Sequence, residues 1–274
     1  VTSTDVYDYR AGVSNWTRAK DDLKRAWARR RLWTDMAIRA FNHRYRGAAF
    51  GAFWLTITTG MTAAGLGLLY GYLFAHPLEQ HLPYVTCAII AWSMITGFAT
   101  GGCDVFAGSA HTFTEFPLPT SLLAFRLALT QIITAGYRLI VLAIIIVAFS
   151  VPLAPSALLA IPGFALIVWT GFWGSFTLGV LNARYRDFGQ LVGAFMTFAF
   201  FLTPIFWLPE RLGEYAVYVN LNPFYHFIEV VRGPILGRGD LPLHFAVMGA
   251  CAALTPLVSI YVYGRLSHRL PYWC

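Results

Sequence analysis

Residues 39–74 read RAFNHRYRGAAFGAFWLTITTGMTAAGLGLLYGYLF, and this stretch decides the fold. Arg39, Arg44 and Arg46 close a basic segment, and no charged residue occurs between Gly47 and Phe74. About twenty such residues, at about 1.5 Å each, cross the hydrocarbon core of a bilayer. Basic residues directly before a span stay on the cytoplasmic side. The stretch therefore predicts a membrane helix and its direction.

The rest of the chain agrees. Its 274 residues are 57% apolar and only 12% charged, with a mean hydropathy of +0.58. That is about half the usual charged share, too little to cover so much apolar surface in water. The same numbers exclude a disordered chain. Four scattered cysteines at this length exclude a disulfide-stapled secreted module. They also lack any Cys/His metal spacing, so no metal site is expected. The net charge of +7 is uneven: residues 1–46 hold eleven Lys/Arg against five Asp, a net +6. Such a segment can mark nucleic-acid binding. The span that follows makes it a topology signal instead, and no nucleic-acid partner is expected. No short apolar core with a cleavage site precedes residue 47, so no cleavable leader is expected.

Outward from the first run (Gly47–Phe74), five more apolar runs are long enough to span: Pro83–Phe106, Ser121–Phe149, Pro155–Leu181, Leu191–Trp207 and Pro242–Gly264. The expected fold is an all-α integral membrane protein with six transmembrane helices and both termini cytoplasmic. It divides into a basic tail with an amphipathic helix (1–46), a six-span domain (47–264) and a short tail (265–274). With the termini inside, Arg184 and Arg186 also fall inside. Within 16–45, Trp33, Ala37, Ala40 and Phe41 share one helical face, with Asp35, Arg39, Asn42 and His43 opposite. This predicts an interfacial helix with a break near Arg29-Arg30-Arg31. Residues 208–240 are too long for a loop and too apolar for a solvated one. Asn222-Pro223 divides them, which predicts a re-entrant pair of half-helices before the last span. Arg126 lies near the inner end of span three and can snorkel. Arg138, twelve residues further along, is predicted near the bilayer centre. There it faces a cavity or an acid such as Glu229.

No Walker A loop is possible, because Lys20 and Lys24 are the only lysines and neither follows glycine. This chain is expected to bind no ATP itself, and no paired carboxylates suggest catalysis.

Several segments together resemble one family. Arg44-Tyr45-Arg46-Gly47 with Gly51-Ala52-Phe53-Trp54 is similar to the start of the first span in bacterial ABC exporter permeases for polysaccharides. Those subunits export O-antigen, capsule or teichoic acid. Arg184-Tyr185-Arg186-Asp187, Thr203-Pro204-Ile205-Phe206-Trp207, Leu221-Asn222-Pro223-Phe224-Tyr225-His226 with Glu229-Val230-Val231-Arg232, and the terminal Pro271-Tyr272-Trp273 follow in the family's order. The likeness runs over roughly residues 32–274.

The resemblance implies a homodimer in the bacterial cytoplasmic membrane, bound to two ATP-binding cassette subunits that hold the ATP and magnesium. It implies a polyprenyl-pyrophosphate-linked glycan as cargo. Arg39, Arg44 and Arg46 would meet the pyrophosphate. The 108–119 segment, otherwise an ordinary loop, becomes a coupling helix through His111, Phe113, Glu115 and Phe116, joined by Arg184, Arg186 and Asp187. Trp54, Tyr70, Tyr72, Tyr137, Trp169 and Trp173 are candidate sugar-stacking walls, or else an interface belt. Asn222, Pro223, Phe224 and Tyr225 would gate the outer mouth. An ABC permease for a drug or lipid would share this fold. An intramembrane enzyme of glycan or lipid assembly is the alternative of another class.

Overall fold

The computed structural model describes residues 15–107 and 119–266, and no strand occurs among them. Nine α-helices are present in these residues: α1 (Asn15–Ala28), α2 (Arg30–Arg44), α3 (Trp54–Leu73), α4 (Leu78–Ala107), α5 (Ser121–Ala148), α6 (Ala160–Arg184), α7 (Phe188–Leu202), α8 (Pro223–Leu236) and α9 (Leu241–Leu266). Five segments, built on α3, α4, α5, α6 and α9, are long and apolar enough to cross a membrane. The remaining predicted span is the 15-residue α7, which stops at Leu202 and not at Trp207. The residue before Pro204 is pushed to extended backbone, and Thr203 has ψ 137°.

α4 is the central helix. Every residue from Pro83 to Trp92 is buried, as expected of a helix that is apolar on all sides. It packs on α3, α5, α6, α7 and α8. Small residues set the closest approaches. An added Cβ at Gly97 would strike the Gln131 amide, at Gly171 the Phe98 ring, and at Gly163 the carbonyl of Val230.

Prolines lie inside α4, α8 and α9 and leave carbonyls without a helical partner, two of which meet a neighbouring helix. In α9, Pro256 cannot bond Ala252. Trp169 of α6 donates its indole N–H to that carbonyl at 2.9 Å. In α8, Pro234 frees Val230, whose carbonyl lies against Gly163 of α6. In both cases a neighbouring helix covers the exposed backbone group, as a lipid environment requires.

The break between α1 and α2 falls at Arg29 (φ −92°, ψ 32°), inside the predicted triplet. It lets Trp27 and Trp33 both pack on Phe125 of α5, at 5.9 and 5.3 Å between ring centroids. Ala37 and Phe41 are buried and Trp33 is half-buried, but Ala40 is exposed, so the apolar stripe is narrower than expected. Asp35, Arg39, Asn42 and His43 are exposed. Further along, Phe41 stacks on Tyr137 at 5.5 Å. α2 thus follows the inner half of α5.

Candidate functional site

Two polar regions stand out, one at each end of the bundle. The outer one is built on α8. Asn222 caps this helix by accepting the Phe224 N–H at 3.0 Å, and its amide donates to Thr203 Oγ1 at 3.0 Å. Pro223 stands at the first helical position, where its missing N–H costs nothing. Gly237 ends the helix in the left-handed region (φ 63°). Phe224 packs on Trp92 at 5.5 Å, and Arg232 sits over the Tyr84 ring at 3.8 Å. α8 therefore rises antiparallel to α4, from the depth of Trp92 back toward the outer surface, and is the second half of a re-entrant pair. The first half is a 3-10 helix, Pro209–Leu221, kinked at Gly213, whose φ of 57° and ψ of −123° suit glycine alone. Unlike α8 it is mostly exposed.

Arg232 is the most deeply buried charge described, 1% exposed. Its Nε donates to Glu229 Oε1 at 3.0 Å and its Nη2 to the same oxygen. Its Nη1 donates to the Pro204 carbonyl at 2.8 Å. The Tyr84 hydroxyl donates to the Trp207 carbonyl at 3.1 Å. The non-helical stretch after α7 thus has its carbonyls satisfied by α8 and α4. Beside this, His226 Nε2 donates to the Asn220 carbonyl at 2.8 Å. One shared proton between the Nδ1 atoms of His226 and His244, also 2.8 Å apart, completes the chain. Tyr225 meets the His244 ring edge-on at 5.2 Å.

This arrangement corrects one expectation: Glu229 pairs with Arg232, one turn along its own helix, and not with Arg138. Arg138 follows Tyr137, whose carbonyl accepts the hydroxyl of Thr56, near the start of α3, at 2.8 Å.

The inner region is a basic rim. Arg39, Arg44 and Arg46 are all exposed where α2 gives way to α3, and half-buried Arg138 lies at the same level. Arg184, Arg186 and Asp187 are exposed in the turn between α6 and α7. Asn182 holds that turn: its amide donates to the Cys103 carbonyl at 2.9 Å and its Oδ1 accepts the Gly189 N–H at 2.7 Å. His111, Phe113, Glu115 and Phe116 lie outside the described residues.

The six candidate aromatics separate. Tyr137 is covered by Phe41 and Phe53, and Tyr70 stacks on Phe206 at 4.4 Å. Trp173 is buried among Trp169, Phe172 and Phe176, so it offers no ring face to a passing sugar. Trp169 is 48% exposed with its N–H committed to Ala252. Trp54 and Tyr72, the latter 80% exposed, are open at opposite ends of α3. The sequence reading missed Tyr84, Asn182 and His244, and named Arg232 only within the re-entrant motif, without its partner. Of these only Arg232 carries a local signal, its i,i+3 spacing from Glu229.

No curated protein matches the chain. The sequence profile of one family does, over residues 32–236, from the break before α2 through the end of α8. A multi-pass helical bundle with a re-entrant pair before its last helix, matched over most of its length, is a membrane permease of the exporter kind that works with an ATP-binding cassette ATPase, and the chain belongs to the ABC-2 type transporter family.

Proposed function

We propose that the chain is the permease subunit of a bacterial inner-membrane exporter, a homodimer with two ATPase subunits, and that its cargo is a polysaccharide on a polyprenyl pyrophosphate. The observation that carries this reading is the basic rim. Arg39, Arg44 and Arg46 are exposed together at the foot of the first span, and Asp35 is the single carboxylate on α2. Guanidinium groups so placed offer bidentate hydrogen bonds to a pyrophosphate at the inner leaflet. Trp54 stands exposed just above them, an aromatic face suited to the first sugar ring.

The test is reconstitution with the ATPase subunit that co-purifies. A lipid-pyrophosphate oligosaccharide should stimulate ATP hydrolysis and be translocated, and Arg44→Ala with Arg46→Ala should abolish the stimulation at normal protein level. Stimulation by drugs or phospholipids instead would replace the glycan with another cargo. Turnover of a lipid-linked sugar by the chain alone would make it an enzyme.

A further inference from the structure

α1 precedes the residues matched by the family profile, which start at 32, yet it is firmly docked. Ala26 is fully buried, and α1 packs on both α5 and α9. The contact centres on Asp22, 8% exposed. Its two carboxylate oxygens accept the backbone N–H of Thr120 at 3.1 Å and of Ser121 at 2.8 Å. Its own carbonyl accepts the Ser121 hydroxyl at 3.1 Å. These N–H groups belong to the start of α5, where a helix has no internal acceptors for them. Thr120 stands at the N-cap position but does not cap with its own side chain. Its hydroxyl instead accepts from the Tyr263 hydroxyl of α9 at 2.9 Å. A residue almost a hundred positions upstream therefore supplies the cap of α5 and fastens it to α1 and α9. Burial pushes the Asp22 carboxyl above its ordinary range, against the hydrogen bonds from Ser121 and Thr120 and the charge of Arg25. The position is thus a costly one for a carboxylate, and Thr120, with helical backbone angles, cannot supply these two bonds itself.

We infer that Asp22 is a positioning residue for energy coupling. Through it α1 clamps the inner end of α5, so that movement imposed there by the ATPase is passed to the bundle and not lost at a loose helix end. This rests on the proposed ATPase-driven export.

The test compares Asp22→Ala with the wild type in the complex with its ATPase. Transport per ATP hydrolysed should fall about fivefold or more, the factor a lost cap contact carries, with the ATPase still co-purifying. Hydrogen exchange at the Thr120 and Ser121 amides, read on the purified chain without ATPase, should speed up by a similar factor. Unchanged coupling or unchanged exchange in Asp22→Ala would overturn the inference, and faster exchange with coupling unchanged would reduce Asp22 to a helix cap. If Asp22→Ala fails to insert, Asp22→Asn, which keeps one acceptor oxygen, is read the same way. If the wild type neither binds an ATPase nor exports, the proposed function fails, and the exchange data still decide the clamp.

Discussion

Arg232 and Arg44 each stand near the end of a helix, and their surroundings could hardly differ more. Arg232 is buried, with Nε and Nη2 on Glu229, Nη1 on the Pro204 carbonyl and the Tyr84 ring against its face. Arg44 is exposed beside Arg46, and Asp35 is the only carboxylate of its helix. The outer cluster spends its charge on the protein's own backbone. It closes the gap left where α7 ends and holds the re-entrant helix against α4. Arg39, Arg44 and Arg46 are exposed at the inner rim. In a protein with so few charges, those satisfied internally are architecture, and these three exposed ones are the groups proposed to meet the cargo.

The comparison breaks most sharply at Arg232. Arg232→Ala strands Glu229 in the interior and leaves the Pro204 carbonyl only its long 3.4 Å contact with the Tyr84 hydroxyl. Removing one partner of a buried pair costs about 3–5 kcal/mol, so the variant should lose most of its inserted, folded protein, read as yield and as thermal midpoint in detergent. A midpoint equal to wild type would show that the cluster is not structural.

Gly163→Ala probes the same region without touching charge. The added methyl overlaps the Val230 carbonyl, so α6 and α8 must separate. Overpacking of this kind costs about 1–3 kcal/mol. The same stability assay should place it between Arg232→Ala and the wild type.

Asn222→Ala removes the cap of α8 and its bond to Thr203. The expected loss is about 1 kcal/mol, with faster amide exchange confined to the first turn of α8. Exchange that spreads through Arg232 would mean that the half-helix has no stability apart from its cap.

How much of this was legible follows from the distance between partners. Spans need only local composition and a bilayer's thickness, so α3, α4, α5, α6 and α9 were readable. The break at Asn222-Pro223 is likewise local chemistry. The packing of α3 on α5 was not legible, because the Thr56–Tyr137 bond joins residues 81 positions apart. Trp169 looked like a free aromatic until its partner, a carbonyl orphaned by Pro256, was visible 83 positions away. Arg232 was readable as a partner for Glu229, but its bonds to Pro204 and its stacking on Tyr84 depend on the tertiary fold.

The smallest effect on stability is expected at the inner rim, and there the comparison is decided. Exposed side chains without special contacts change stability by about 0.5 kcal/mol or less when truncated. Arg44→Ala with Arg46→Ala should therefore leave yield, midpoint and ATPase binding at wild-type values. If these arginines face an anionic cargo, the double variant loses cargo-stimulated hydrolysis all the same, and adding salt to the wild type imitates the loss, because exposed charges are screened within about a Debye length. Arg44→Lys with Arg46→Lys separates charge from geometry: lysines keep the attraction but lose the bidentate fork. Full recovery would make the rim a simple electrostatic collar, whereas partial recovery would mark the planar pairing that a pyrophosphate accepts. A rim variant as unstable as Arg232→Ala would erase the distinction between the two ends of the molecule.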